Sequence, residues 1–337
     1  MKTRVAINGF GRIGRLVARH LKARDDMDLV AINDLTSPEM LAYLFKHDSV
    51  HGLYQGSVEV DGQVITIDGD DMKVFAERDP SKLPWQELGV DYVFEATGLF
   101  RDRDSAGAHL EAGAKKVIIT APGKTVDETF VMGVNHELYD PNNHHVVSNA
   151  SCTTNCLAPI AKVLHETVGI EHGWLTTIHA YTNGQKILDV QHPKDMRRSR
   201  AAAINIIPTS TGAARAISLV YPELAGKLDG AAMRVPVPDG SVCDLIFVAG
   251  RDASVDELRE AIVEAANGNL KGILRAADEP LVSSDIIGEN HSSIVDLELV
   301  SRTAPNFFRV VSWYDNENSY SVRCVDLLAW MVAKDNA

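Results

Sequence analysis

The sequence predicts an α/β protein: a doubly wound parallel sheet built from βαβ units, followed by a second domain of α+β character. Three observations predict it. The first half alternates short β-rich runs with helical patterns, which is how a parallel sheet reads. A glycine-rich turn follows the first strand and opens the first helix. After about residue 150 the texture changes to strand-like runs separated by longer loops. The 337 residues, 45% hydrophobic and 23% charged, have the proportions of an ordinary globular protein and the length of about two domains.

In order, Val5-Ala6-Ile7 reads as a buried strand, Ile13 to Leu21 as a helix and Leu29-Val30-Ala31-Ile32 as the next strand. Tyr92-Val93-Phe94 and Val117-Ile118-Ile119 are two more strands, with a helical Ala/Glu-containing stretch between them. In the second half, Leu175-Thr176-Thr177-Ile178, Ala231 to Val235 and Leu245 to Val248 read as strands. One helix there is framed by Ser254 and Glu257 as a capping box, by Leu258 and Ile262 at i, i+4, and by Gly268 as its stop. The last segment predicts a helix with Ser321, Val325, Leu328 and Val332 on one stripe, packing back on the first domain.

Composition also excludes. Four cysteines without a CxxC pair argue against a disulfide framework and a structural zinc site, and no metal is expected. A net charge of −13 leaves no excess cation for nucleic-acid phosphates. The start Met1-Lys2-Thr3-Arg4 runs straight into Val5, too short for a signal peptide, and no apolar stretch approaches the ~18–20 residues that span a bilayer. A reducing, cytoplasmic setting without membrane or nucleic-acid partners is expected.

Gly9-Phe10-Gly11-Arg12-Ile13-Gly14 fits GxGxxG, and Asp34 follows 20 residues after Gly14, at the end of the second strand. Gly9 makes the tight turn, Gly11 lets backbone approach a pyrophosphate, and Gly14 lets helix pack on strand. The helix N-terminus offers free N–H groups and the positive end of its dipole to phosphates. Asp34 accepts hydrogen bonds from a ribose diol and repels a 2′-phosphate, which favours NAD over NADP.

Ser148-Asn149-Ala150-Ser151-Cys152-Thr153-Thr154-Asn155-Cys156-Leu157 carries the second signal. It follows the strand-like Val146-Val147 and precedes the helical pattern Leu157, Ile160, Ala161, Leu164, so Cys152 falls at a helix N-terminus. The dipole there pulls a thiol from ~8.5 towards neutrality, and an imidazolium pulls it further. A buried, inert cysteine is the commoner fate, and it is the expectation for Cys156, one turn on. A redox role for Cys156 is the alternative, against poor i, i+4 disulfide geometry. His179, which ends one strand-like run and enters a loop, is the candidate base. Between Lys186 and Arg200, five cations (Lys186, Lys194, Arg197, Arg198, Arg200) stand against Asp189 and Asp195. That stretch is either a solvated loop or subunit contact, or part of an anion site with the hydroxyls of Thr209, Ser210 and Thr211 and the guanidinium of Arg234.

Six blocks in order then carry a resemblance over essentially the whole length: Ile7 to Gly14, His47-Asp48-Ser49-Val50-His51-Gly52, Ser148 to Cys156, His179-Ala180-Tyr181-Thr182, Arg200 to Ile207, and Ser312-Trp313-Tyr314-Asp315-Asn316-Glu317. The chain resembles the phosphorylating glyceraldehyde-3-phosphate dehydrogenases. The resemblance implies a Rossmann-type NAD-binding domain, 1–150, completed by a C-terminal helix, 317–337. It implies a catalytic domain, 151–316, with a mixed sheet, and a homotetramer. Cys152 would be the nucleophile and His179 the acid/base. Thr182 and Arg234 would hold the C3 phosphate of glyceraldehyde 3-phosphate. Ser151, Thr153, Thr211 and Gly212 would hold inorganic phosphate, with Arg198 near both. Gly9, Gly11, Arg12, Ile13, Gly14, Asp34, Arg78, Thr120 and Asn316 would bind NAD, and the loop from about Tyr181 to Thr211 would line a neighbouring subunit's cofactor site.

The implied reaction is NAD-dependent oxidation and phosphorylation of the aldehyde to 1,3-bisphosphoglycerate through a cysteine thioester, in glycolysis and gluconeogenesis. The alternatives are an erythrose-4-phosphate dehydrogenase and a non-catalytic NAD-sensing or partner-binding protein. Three departures stand out. Gly184 replaces an acid or hydroxyl, Val190-Gln191 replaces a Leu-Pro pair associated with NAD preference, with one residue inserted before Lys194, and Asn318-Ser319 replaces Trp-Gly. The second leaves NADP open beside NAD.

Overall fold

The computed structural model describes residues 2–193 and 195–337. The chain divides into two compact units. One holds the residues up to Phe130, His136–Ala150 and Ser321–Ala337; the other holds Val131–Asn135 and Ser151–Tyr320.

The first unit runs β1 (Thr3–Asn8), α1 (Arg12–Lys22), β2 (Met27–Asn33), α2 (Pro38–Lys46), β3 (Val58–Asp61), β4 (Val64–Ile67), β5 (Asp70–Phe75), β6 (Tyr92–Glu95), α3 (Arg103–Glu111), β7 (Lys116–Ile119), β8 (Glu128–Thr129) and β9 (Val146–Ser148). The sheet order is β3-β4-β5-β2-β1-β6-β7-β9-β8. The seven strands from β5 to β8 pair parallel. Val5, Ala6 and Ile7 are wholly buried, as a strand covered on both faces requires. The antiparallel β3, β4 and β5 at one edge went unpredicted. Their short, charged runs carry no long apolar stretch.

The second unit runs α4 (Cys152–Val168), β10 (Ile170–Ala180), β11 (Ile207–Ser210), α5 (Ala213–Val220), β12 (Leu228–Val235), β13 (Ser241–Ala249), α6 (Val255–Asn267), β14 (Leu274–Ala277), β15 (Ser293–Asp296), β16 (Ser301–Ala304) and β17 (Phe307–Tyr314). Its sheet is mixed, in the order β11-β12-β10-β13-β17-β15-β14, with β16 on β17. β10 runs parallel to β12 and antiparallel to β13. Helices α4, α5 and α6 pack against its strands. Trp174, Ile246 and Phe307, on neighbouring strands, remain exposed.

The frame of α6 is half as predicted. Glu257 N–H donates to Ser254 Oγ at 3.0 Å, but the Glu257 carboxylate pairs with Arg251 rather than reaching back to close a capping box. Leu258 and Ile262 are buried. The last helix, α7 (Asn318–Asp335), buries Ser321, Val325 and Leu328, while Val332 is only half-buried. Within the first unit, the hydroxyls of Tyr92 and Tyr139 both donate to Asp335, which anchors the end of this helix.

Candidate active site

In the first unit the predicted cofactor residues gather at the carboxyl ends of parallel strands. Gly9 follows β1, Asp34 follows β2, Arg78 follows β5 and Thr120 follows β7. β1 pairs with β2 on one side and β6 on the other, which makes it the point where the strand order reverses and where ligands bind in such sheets. The glycines are demanded by space. Gly9 has φ +95°, and a Cβ there would lie 2.6 Å from Thr97 N; a Cβ on Gly14 would lie 2.1 Å from Gly9 O. Gly11 has open space, as a cradle for an approaching phosphate needs, and α1 begins there without a side-chain cap. These residues fit a dinucleotide.

The supporting side chains are more heavily committed than the motif suggests. Asp34 Oδ2 accepts from Phe10 N–H at 2.8 Å and Oδ1 from Thr36 N–H at 3.1 Å, so this carboxylate also shapes the turn. Arg12 reaches Asp48 at 2.7 Å. Burial opposes the charge on Asp48, but hydrogen bonds from His51 and Arg12 hold its carboxyl far below the usual range. Thr120 Oγ1 and N–H both donate to Glu95 O, while Arg78 is exposed and Ile13 half-buried. Sequence reasoning missed the layer beneath. The buried Glu95 carboxylate accepts from Asn8 and Thr97, and His109 lies 3.1 Å from it. Each group is ordinary in its own stretch, and only the sheet brings them together.

The second unit takes up the chain at Ser151, the cap of α4, and Ala150, the first unit's residue directly before it, is left-handed at φ +55°. Thr154 N–H donates to Ser151 Oγ at 3.1 Å, and Cys152 is the first helical residue. Its Sγ lies 3.5 Å from His179 Nε2. His179, at the end of β10, is buried and sits in register with Arg234 on the parallel strand β12. His179 Nδ1 is 2.7 Å from Ala180 O and 2.7 Å from Arg234 Nη1. With its proton on Nδ1 the ring donates to Ala180 O and turns a lone pair towards the sulfur; with Arg234 donating, the proton belongs on Nε2. An anion that engages Arg234 favours the first arrangement.

The expected lowering of the thiol is not met in this pocket. Burial pushes Cys152 up to about 11, against the pull of Arg234 and Thr153, and pushes His179 down to about 3, with Arg234 adding to the fall. The cost of desolvating a charge exceeds the benefit of the helix terminus here, so the resting pair is thiol and neutral imidazole. Cys156 is wholly buried, 3.6 Å from Ser312 Oγ, and all four cysteines are free thiols.

Around this pair the anion-binding expectations divide. Arg234 Nε is buried without a partner, an orphan of the kind that an incoming oxyanion satisfies. Burial depresses Arg234 and Arg198 lies near enough to add to the fall, while Arg198 Nε lies 3.4 Å from Asp195 Oδ2. Thr153 adjoins Cys152, with its Oγ1 4.0 Å from the sulfur. Thr211 and Gly212 lie at the start of α5, where Ala213 N–H donates to Thr211 Oγ1 at 3.2 Å. Thr182 is exposed and its N–H and hydroxyl both donate to Gln185 Oε1. In the basic stretch, Arg200 pairs with Asp189 and Arg198 with Asp195, the two acids that composition had already set against the five cations. Lys194 lies outside the described residues.

Asn316, also predicted for the cofactor, is buried in this unit. Ser241 Oγ donates to its Oδ1 at 2.6 Å, and its N–H donates to Asp239 at 3.1 Å. The Asn318-Ser319 departure has a physical reason. Asn318 Nδ2 donates to Gly288 O, Glu289 O and Asn290 Oδ1, and Ser319 Oγ donates to Asp315 O, so the pair ties down the loop before β15 and the start of α7. A Cβ on Gly184 would meet only Thr182 Oγ1, at 3.5 Å, and nothing in the structure explains this glycine.

Comparison with known proteins agrees along the chain. Residues 3–103 match the model of the glyceraldehyde 3-phosphate dehydrogenase NAD binding domain, and residues 151–316 match that of the C-terminal domain. A glyceraldehyde-3-phosphate dehydrogenase of Geobacillus stearothermophilus is 55% identical over 334 residues, 99% of each chain. Glyceraldehyde-3-phosphate dehydrogenase 1 of Bacillus subtilis (strain 168) is 54% identical over 99% of each chain. The enzyme of Wickerhamomyces ciferrii is 50% identical over 99% of this chain and all of its own.

Proposed function

The chain belongs to the glyceraldehyde 3-phosphate dehydrogenase family, and from that premise we propose that it oxidises D-glyceraldehyde 3-phosphate with NAD and inorganic phosphate to 1,3-bisphosphoglycerate, in glycolysis and gluconeogenesis. The observation that carries the proposal is the 3.5 Å approach of Cys152 Sγ to His179 Nε2 at the start of α4. His179 takes the thiol proton as sulfur attacks the aldehyde carbon, so that neither group need carry its charge in the resting pocket. Arg234 and Thr182 hold the C3 phosphate, and engagement of Arg234 leaves His179 Nδ1 free to donate to Ala180 O. His179 returns the thiol proton to the alkoxide oxygen to give the hemithioacetal and, neutral again, removes the hydroxyl proton as hydride leaves the carbon. NAD, which Gly9, Gly11, Arg12, Ile13, Gly14, Asp34, Arg78 and Thr120 would hold, would supply the hydride acceptor. Inorganic phosphate at Ser151, Thr153, Thr211, Gly212 and Arg198 cleaves the Cys152 thioester and frees the sulfur.

The test is the initial rate of NADH formation from glyceraldehyde 3-phosphate, with and without phosphate or arsenate, beside the same assay with erythrose 4-phosphate and with NADP. Sustained turnover is expected only with phosphate or arsenate, and NAD should exceed NADP because Asp34 repels a 2′-phosphate. Turnover indifferent to phosphate, or a faster rate on the tetrose, overturns the assignment; NAD binding without any turnover leaves the non-catalytic reading. NADP as a second acceptor is settled by the same assay.

A cytoplasmic homotetramer is part of the proposal. Among the described residues no helix is long and apolar enough to cross a membrane. The apolar Trp174, Ile246 and Phe307 on the open sheet support burial against another copy. Light scattering on protein from the soluble fraction should give four times the 36.7 kDa chain mass, and Ile246→Glu should reduce it. Wild-type protein at the single-chain mass would refute the assembly.

A further inference from the structure

Besides the direct Cys152–His179 approach, one hydroxyl joins the helix that carries the nucleophile to the strand that carries the base. Tyr314, the last residue of β17, is wholly buried. Its Oη lies 2.8 Å from Thr153 Oγ1 and 2.9 Å from Thr177 Oγ1. Thr153 directly follows Cys152 on α4, and Thr177 precedes His179 by two residues on β10, which puts both side chains on one face of the sheet. The Tyr314 ring meets the His179 ring edge to face, at 5.9 Å between centroids and 82°. A phenol has one proton to donate and lone pairs to accept with, so it serves one threonine as donor and the other as acceptor. Burial keeps that proton in place, because it holds Tyr314 far above the usual phenol range.

We propose that Tyr314 is a positioning residue: its hydroxyl bridges Thr153 to Thr177 and its ring backs the imidazole, so that together they set the separation and orientation of Cys152 and His179. The proposal rests on the reading that these two residues act as a nucleophile–base pair. The chemistry requires it. Proton transfer between sulfur and Nε2 depends on a contact that is already long at 3.5 Å, and a small drift on either side breaks it. Both neighbours of the phenol are buried threonines with no route to replace the lost bond from solvent.

The test is Tyr314→Phe, which keeps the ring and removes the bridge, alongside Thr177→Val, which removes one leg of the bridge at nearly constant volume. The main readout needs no substrate: the rate at which iodoacetamide labels Cys152, followed by peptide mass spectrometry across pH. In wild type, His179 assists the thiol. In Tyr314→Phe the labelling profile should shift to higher pH, towards that of His179→Asn, and kcat should fall roughly tenfold with KM little changed. In a His179→Asn background, Tyr314→Phe should add nothing to the labelling profile, since the two act through one contact. A purely structural residue would lower the melting temperature and leave the profile where it was; that result overturns the proposal. If Tyr314→Phe does not fold, Thr177→Val decides it by the same shift or its absence. If His179→Asn itself leaves the profile unmoved, it is the nucleophile–base reading that has failed.

Discussion

Cys152→Ser is expected to lose turnover by at least roughly 10⁴-fold, while NAD binding is unchanged. Serine keeps the position at the head of α4 and can accept the same hydrogen bonds, but its hydroxyl is a far weaker acid than a thiol. The pocket already resists ionisation, with Cys152 held at about 11 by burial, and a serine oxygen there would need a much stronger base than His179. An acyl-oxygen ester would also be a poorer donor to phosphate than the thioester. The residues proposed to hold NAD, Gly9 to Gly14 and Asp34, belong to the other unit, so affinity for the dinucleotide should not follow the loss. The measurement pairs the coupled NADH assay with calorimetric titration of NAD. Turnover that persists in the serine variant would remove Cys152 from the mechanism.

His179→Asn should cost roughly 10²–10⁴-fold in kcat, the range of a lost general base. The amide matches much of the ring's volume and can still reach Ala180 O, but it has no proton acceptor of useful strength for the thiol. A loss under about threefold would reject the role. The same variant carries a pH signature. Burial and Arg234 hold His179 at about 3 in the folded chain, against an ordinary value of about 6.5. The unfolded chain therefore binds more protons in that window. The neutral ring contributes stability that is fully present above pH 6.5 and is lost as the pH falls towards 3. Denaturant melts across that range should fall less steeply for His179→Asn than for wild type. Parallel curves would show that His179 titrates elsewhere.

The glycine turn after β1 and the capped helix start at Cys152 were both legible because each is encoded by contiguous residues. Gly9 and Gly14 are required by the backbone's own closeness to Thr97 and to itself, and Ser151 caps the helix that it begins. The mixed sheet was expected from resemblance rather than from the strand-like runs themselves, and the order of its strands came only from the structure. Arg234 was nominated as a guanidinium from a strand, but its place beside His179 is a matter of register between β12 and β10. Tyr314 lay inside a quoted block, yet nothing in Ser312 to Glu317 signals that its hydroxyl joins Thr153 to Thr177. The Asn8–Glu95–His109 layer is invisible for the same reason.

Local chain chemistry was enough to specify a thiol at a helix start, a glycine turn after the first strand and an acid at the end of the second. Those are demands that neighbouring residues place on one another through φ, capping and spacing. The ionisation of Cys152 and His179 was decided only by folding, and for Cys152 in the direction opposite to expectation. The penalty for a buried charge depends on everything packed over it, and β12, β10 and β17 bring that cover from positions up to 162 residues away from Cys152. A helix terminus acts within its own first turn, whereas desolvation is imposed by the rest of the molecule.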